Sequence, residues 1–399
     1  YSFLPQFIAQ LLADTGMSSG LVAAPFMAYY LFFALALVPA GHLAQYLSPR
    51  RLIYFGLAVA CLSLLSLALA QDIFAVLIAR SAAGIGQGIL FIGVQCYILA
   101  KASPEKKTQG AAIIVYGFQG GMISGMAIGS LLVVYVGPQG IFTLAGTIGA
   151  AATIYTILML PNVSAASSSV VGIGSNVRQI CRDLVKALCS FEFIRTIFLI
   201  GIPAKAVMTG IIIFALPLLL AQQSYAQEDI GQIIMAYALG VLIASSYVSR
   251  LVDRIGRTEN ILFIGTLVSG LGFRLIGASG IGLFSDMEDA PLCAGIAMVL
   301  GVTTVGVAHG FINAPVVTCV ADSGLARDIG QNTATASYRF LERVGHIAGP
   351  IIVGQLFLIA SHQAEIVSWI GAAVIILGVV FILSSSPAHP QTPQQEAVR

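Results

Sequence analysis

Ser249-Arg-Leu-Val-Asp253-Arg254-Ile-Gly256-Arg257 places three arginines and one aspartate in nine residues, between long runs almost free of charge. Outward from this stretch the same arrangement recurs. Arg50 and Arg51, Lys101, Lys106 and Lys107, Arg178, Arg182 and Lys186, and Arg327 lie in, or at the edges of, alternate gaps between apolar runs. The intervening gaps, around Asp14, Asp72, Gly137 to Gly140, Glu228 and Asp229, Asp286 to Asp289, and His362, hold no Lys or Arg. Cations confined to one side are the positive-inside pattern of a polytopic membrane protein. A soluble chain has no physical reason to sort its charges this way, so the pattern sets class, orientation and approximate span count together.

Composition agrees. The chain is 58% hydrophobic and 9% charged, against about 25% charged in soluble domains, and its mean hydropathy is +0.93. Backbone polar groups in lipid must be satisfied internally, which leaves helices or a closed barrel. The apolar runs are about 20 residues long without two-residue alternation, so helices are predicted. The fold class is therefore an all-α polytopic membrane protein. The net charge of +2 says little about partners, because the charges are sorted by side, and no nucleic-acid partner is expected. Cys61, Cys96, Cys181, Cys189, Cys293 and Cys319 have no metal-ligand spacing. Cys181 and Cys189 fall on the cation-rich side, where a reducing cytoplasm disfavours a disulfide. The sequon Asn162-Val-Ser164 lies on that side too and is expected to be unused.

The predicted spans are roughly 1–13, 21–45, 52–70, 73–100, 110–135, 140–160, 196–221, 230–249, 260–283, 291–321, 332–361 and 364–385. That makes twelve, six on each side of a central linker. Ser2 to Ala13 is too short to cross a ~30 Å hydrocarbon core and reads as the outer end of a span that begins upstream. The expected organisation is a six-helix bundle over 1–160, a linker over 161–194, a second six-helix bundle over 195–386 and a tail over 387–399. The linker opens with Pro161 and a Ser/Ala/Gly-rich stretch of flexible composition. Val177, Ile180, Cys181, Leu184, Leu188 and Phe191 then recur at helical spacing, opposite Arg178, Arg182, Asp183 and Lys186. Such a basic amphipathic helix belongs on the inner membrane surface.

The halves resemble each other. Gly84-Ile-Gly-Gln-Gly88 in span four aligns with Gly306-Val-Ala-His-Gly310 in span ten. At the same offset Gln109, Tyr116 and Phe118 meet Gln331, Tyr338 and Phe340, and Gly125-xxx-Gly129 matches Gly345-xxx-Gly349 after a two-residue slip. Duplicated six-span halves are a transporter architecture that handles substrate near the midplane, between the halves.

After span two comes Gly41-His-Leu-Ala-Gln45-Tyr-Leu-Ser48-Pro49-Arg50-Arg51. With the opening stretch it resembles the cytoplasmic loop signature of the major facilitator superfamily, G-x-x-x-D-R-x-G-R-R, once in each half. The second copy keeps Asp253, Arg254, Gly256 and Arg257 but begins with Ser249; the first keeps Gly41, Arg50 and Arg51 but has Gln45 for the Asp and Ser48 for the inner Gly. The resemblance implies a gating latch, in which a carboxylate at a helix end accepts charge-assisted hydrogen bonds in one conformation and releases them in the other. Arg80-Ser-Ala-Ala-Gly84-Ile-Gly86 resembles the family's R-x-x-x-G-x-G motif, which implies a role for Arg80 in proton coupling or binding. The family's exporter pattern, G-x-x-x-G-P, is incomplete in span five, where Ser130 follows Gly129, and fuller in span eleven as Gly345-xxx-Gly349-Pro350. Both pairs also fit close-packing glycines.

Charges inside the spans mark the site. Ionisable groups in the bilayer are costly and are read as functional by default. Lys205 lies mid-span in span seven and Arg274 in the outer half of span nine. Arg339, Glu342, Arg343 and His346 follow i, i+3, i+4, i+7 and share one face of span eleven. On that face Glu342 is expected to reach Arg339 and His346, either as a titratable relay or as a self-neutralising ion pair. His309 and Asn313 share a face of span ten, opposite Gln87 and Phe91 of span four in the repeat. Spans one, four, seven and ten line the cavity in the family, so the resemblance places these residues there. Five intramembrane cations, Arg80, Lys205, Arg274, Arg339 and Arg343, against one carboxylate favour an anionic substrate.

The expected function is secondary transport of a small organic, anionic molecule by alternating access, proton-coupled and directed to export. The protein is expected to be a monomer in the inner (plasma) membrane, with membrane lipid and protons as partners and linker and tail in the cytoplasm. No cofactor is expected, and no ATP-binding loop, catalytic triad or metal cluster points to an enzyme. Two alternatives remain open: a sensory or regulatory module that binds a ligand without net transport, and a lipid or lysolipid transporter.

Overall fold

A computed structural model describes residues 3–44, 46–101, 107–162, 177–255, 258–280 and 289–385. Among these residues all regular structure is helical. Span one is Leu4–Asp14, span two Ala24–Leu43, span three Pro49–Ala68 and span four Ile73–Lys101. One helix, Lys107–Met159, holds spans five and six, because Gly137 at φ 69° and Pro138 break its course. The linker helix is Val177–Cys189. Span seven is Phe191–Gln222, span eight Gln227–Ile255, span nine Thr258–Gly280 and span ten Ala290–Ala321. Span eleven is Gln331–Ile359 and span twelve Gln363–Leu383.

The punctuation is local chemistry. Asp72 Oδ1 accepts a hydrogen bond from the Ala75 amide at 2.8 Å and so caps span four. Pro49 and Pro291 occupy the first turns of spans three and ten, where a missing N–H costs nothing. Gly330, at φ 87°, turns the chain into span eleven.

Nine helices among the described residues are long and apolar enough to cross a bilayer. The difference from twelve has three causes. Span one has only 11 residues here. Spans five and six form one bent helix. Span eleven carries Arg339, Glu342 and Arg343 in its middle.

The internal repeat is visible in the packing. Span four presses Gly84 against the carbonyl of Tyr29 and Gly88 against that of Phe33 on span two. Span ten presses Gly306 against the carbonyl of Tyr237 and Gly310 against that of Val241 on span eight. In each half the same glycine pair lets two backbones approach closer than any side chain would permit.

At the cation-poor face the halves are sealed together. Ile8, Leu12 and Phe26 of spans one and two share one buried cluster with Ile211, Phe214 and Leu220 of span seven, Ile230 and Ile233 of span eight, and Val353 and Phe357 of span eleven. The Phe26 and Phe214 rings meet edge to face at 5.6 Å, and Gln6 donates to the Pro217 carbonyl at 3.0 Å. Toward the cation-rich face the described clusters separate. Ala40, Leu52, Ile89, Ile92 and Cys96 belong to the first half alone, and Phe193, Ile197, Val316, Val320 and Phe381 to the second. Along span five, Gly117, Gly120, Gly121 and Gly125 have open space where a Cβ would stand, whereas Ser130 already meets Gly231 of span eight. Among the described residues, then, the halves close at the cation-poor face and part toward the cation-rich one.

Candidate functional site

Span eleven positions the site. Gly345 and Gly349 lie directly on span seven, so close that a Cβ on either would run into the carbonyls of Ile202 and Ala206. The Thr209 hydroxyl sits in the seam, 2.9 Å from the Lys205 carbonyl and 3.3 Å from the His346 carbonyl. This backbone-to-backbone approach carries Lys205 over to the polar stripe. Span seven is itself irregular, with π-helical stretches at Ile197–Gly201 and Met208–Ala215 on either side of the turn that bears Lys205. Single-turn π segments are frequent at functional sites.

Glu342 is the centre. Only 2% of its side chain is exposed. Arg339 Nη1 donates to Oε1 at 3.1 Å. Lys205 Nζ lies 3.9 Å from Oε2, which accepts no hydrogen bond. Lys205 Nζ donates instead to Asn313 Oδ1 of span ten at 2.8 Å. The stripe's expected internal contact is thus realised only in part: the carboxylate's second partner is Lys205, not His346.

The charges do not cancel. Lys205, Arg339 and Arg343 face one carboxylate, an excess of two positive charges with His346 neutral. Arg339 leaves 41% of its side chain exposed and keeps water around it. The more enclosed remainder is the partly buried Lys205 and Arg343 against the buried Glu342, one positive charge in excess. Burying an uncompensated charge is expensive, so the arrangement favours an anion beside it.

Across the interface span two supplies aromatic faces. His346, 4% exposed, lies flat on Tyr30, with centroids 4.7 Å apart and planes 11° apart. One turn away the Arg343 guanidinium sits over Phe33 at 4.4 Å. Tyr29 and Phe91 meet these rings edge to face, and Tyr29 itself lies under Arg80 at 4.3 Å. Arg80 is buried and belongs to the first half's side of the interface. Nothing in the sequence marks Tyr30 and Phe33. They lie in the run Tyr29-Tyr30-Leu31-Phe32-Phe33, where nothing tells a stacking ring from an ordinary apolar one.

Several expected residues lie elsewhere. His309 makes its hydrogen bonds within the second half: the Tyr237 hydroxyl of span eight is 2.9 Å from its Nδ1 and the Ser269 hydroxyl of span nine 3.4 Å from its Nε2. Asn313, one turn on, does join the cluster, so the two residues diverge in partners. Arg274 is exposed on the flank of span nine that also exposes Ile264 and Leu271, and so is not one of the cations near Glu342. Gln87 is half-buried on span four and takes no part in the contacts around Glu342.

Of the loop residues, Gln45, Gly256 and Arg257, and the side chains of Asp253 and Arg254, lie outside the described residues. Gly41 is buried, Arg51 exposed, and Arg50 donates to the Ile157 carbonyl in the last turn of span six. In the sequence Arg195 reads as one more edge cation. It is 6% exposed, pairs with Glu259 and Ser385, and lies over Phe381 at 4.6 Å, tying spans seven, nine and twelve together.

Among the described residues no group of His, Cys, Asp and Glu is placed to hold a metal ion.

Among curated proteins none matches the chain. Solved structures do. Two crystal structures of the nucleoside transporter NupG, one of them a mutant, superpose with TM-scores of 0.73 and 0.70 at 14% and 15% identity, covering 96% of this chain and 95% and 94% of theirs. A POT family transporter in complex with 5-aminolevulinic acid superposes with a TM-score of 0.74 at 13% identity, covering 96% of this chain and 91% of that one. At such identities the likeness concerns the fold. The sequence pattern of the Major Facilitator Superfamily matches residues 1–350 and 205–398, and the chain belongs to that superfamily.

Proposed function

We propose that the protein is a proton-coupled secondary transporter of a small organic anion, working as a monomer by alternating access in a bacterial-type inner membrane. The linker and tail lie in the cytoplasm on this reading, and the lipid bilayer is its only other partner. The observation that carries the proposal is the buried carboxylate of Glu342 with Lys205, Arg339 and Arg343 around it, at the level where the two halves meet. A site with a surplus of partly enclosed cations draws an anion. A carboxylate among those cations supplies a second, titratable charge.

The two ligands are linked by simple electrostatics. Protonation of Glu342 removes the negative charge that Lys205 and Arg339 face, which leaves both cations to the substrate. The bound anion in turn repels ionised Glu342 and favours its protonation. Coupling free energies are reciprocal, so anion and proton bind together and travel together. The groups that compose the site sit on spans seven, ten and eleven, while the aromatic faces sit on span two. Parting of the halves on one side and closure on the other therefore changes the surroundings of Glu342 in each half-cycle.

A second reading is export by proton antiport, favoured by the resemblance of Gly345-xxx-Gly349-Pro350 to the family's exporter pattern. It needs a substrate that competes with the proton for Glu342, hence a neutral or cationic one. Purified protein in liposomes with a trapped pH dye separates the readings. Addition of small carboxylates outside acidifies the lumen if anion and proton move together. Alkalinisation supports antiport, and no movement of protons with any substrate that is transported removes the coupling. A module that binds without transporting would show saturable binding and no flux.

A further inference from the structure

The wall opposite the cations has a chemistry of its own. Tyr30 and Phe33 present ring faces, not edges, to span eleven, and both faces are occupied by planar delocalised groups: the His346 imidazole at 4.7 Å and 11°, and the Arg343 guanidinium at 4.4 Å. Tyr29 stands edge-on to Tyr30 at 5.1 Å and Phe91 edge-on to Phe33 at 6.1 Å, which holds the two faces in place. The four rings come from spans two and four of the first half, and the charges opposite them come from spans seven and eleven of the second. A molecule seated between the halves at this depth thus meets ring faces on one side and cations on the other. His346 Nδ1 and Arg343 Nε are buried and make no hydrogen bond. These two side chains are held on span two by stacking and leave polar atoms unsatisfied. They are therefore poised to exchange the ring for a ligand that satisfies those atoms.

We propose that the substrate is an aromatic carboxylate, with its ring seated on Phe33 and Tyr30 in the places that Arg343 and His346 hold here, and its carboxylate taken by the displaced side chains and Lys205. The inference rests on the anion reading of this site and narrows it. An aliphatic acid satisfies the cations but leaves the ring faces uncovered. A neutral aromatic covers the faces but leaves the buried positive charge. Only a group with both a π face and a carboxylate answers to both sides. Tyr30 and Phe33 then determine specificity, while the cations supply attraction common to all acids.

The test is equilibrium binding to the purified full chain, by calorimetry or thermal shift. The probes are benzoate and 2-naphthoate, with cyclohexanecarboxylate as the acid without a π face and benzamide as the ring without a charge. Aromatic pairs contribute beyond their buried area enough to shift affinity several-fold, up to about tenfold. The expected result is that the aromatic acids bind more tightly than cyclohexanecarboxylate by that factor, and that benzamide does not bind. Phe33→Leu removes the preference without abolishing acid binding, Tyr30→Phe retains it, and Tyr247→Leu on the exposed flank of span eight changes nothing. If Phe33→Leu does not fold, Phe91→Leu, which loosens the support of the same ring, reads the same preference. Equal affinity for benzoate and cyclohexanecarboxylate, or benzamide binding as tightly as benzoate, overturns the inference and leaves the anion reading standing. Binding of aliphatic acids alone does the same. Failure of every carboxylate to bind overturns both.

Discussion

Glu342→Gln should destabilise the fold, and the identity of the rescuing substitution reveals which cation depends on the carboxylate. Lys205 Nζ is 3.9 Å from Oε2, with 13% and 2% of the two side chains exposed. At an effective dielectric of about 20 their attraction is about 4 kcal/mol. Arg339 is nearer, at 3.1 Å, but 41% of its side chain is exposed, and pairs so open to solvent are worth ~0–1 kcal/mol. Removing one partner of a buried pair strands the other, at a cost of about 3–5 kcal/mol. The variant no longer buries a carboxylate, so the lower end of that range, about 3 kcal/mol, is expected. Lys205→Met in the same protein removes the stranded cation and should recover all but about 1 kcal/mol, since an apolar replacement of a buried pair is close to neutral. Arg339→Gln in the same background should recover less than about 1 kcal/mol. Lys205→Met alone should cost less than Glu342→Gln alone, because Glu342 keeps its bond from Arg339. Denaturant titration in detergent measures all four variants. A Glu342→Gln protein within about 1 kcal/mol of the parent, or rescue by Arg339→Gln larger than rescue by Lys205→Met, refutes the assignment of Lys205 as the dependent partner.

Three further expectations follow from particular contacts. Gly345→Ala drives a Cβ into the Ile202 carbonyl and should cost about 1–3 kcal/mol of stability, while Gly125→Ala, in open space, should be neutral or gain up to about 1 kcal/mol from helix propensity in the same unfolding assay. His309→Leu leaves the Tyr237 hydroxyl without its partner and should cost about 1–3 kcal/mol, yet leave the pH profile of transport unmoved; a shifted profile would bring His309 into the proton path. A membrane-impermeant thiol reagent on intact cells should label Cys293 and spare Cys189, whose side chain is exposed but on the cation-rich face; labelling of Cys189 before permeabilisation reverses the orientation.

What could be read from the sequence was what lies along one dimension. Charge sorting along the chain is directly visible, and it marks the gaps between the helices that the described residues form. The stripe Arg339, Glu342, Arg343 and His346 was visible because one helix face repeats with a known period. Contacts between helices were not. That Lys205 meets Glu342 depends on Gly345 and Gly349 admitting span seven, and the same glycines, read along the chain, only resembled an exporter pattern. Hydropathy does not say which flank of a span faces lipid, so in the sequence Arg274 reads as one more intramembrane cation. Ile264 and Leu271, ten and three residues before it on the same flank, carry the contrary signal. His309 and Asn313 share a face, but a helix face between three neighbours serves more than one of them.

The central claim is that Glu342 couples protons to the movement of an anion. It is tested most directly by gradient-driven accumulation of a carboxylate in liposomes, beside its exchange without a gradient, in the parent protein and in Glu342→Gln. The account predicts that the variant binds and exchanges the carboxylate but no longer accumulates it when a pH gradient is imposed. Accumulation by Glu342→Gln at the parent's level would contradict it.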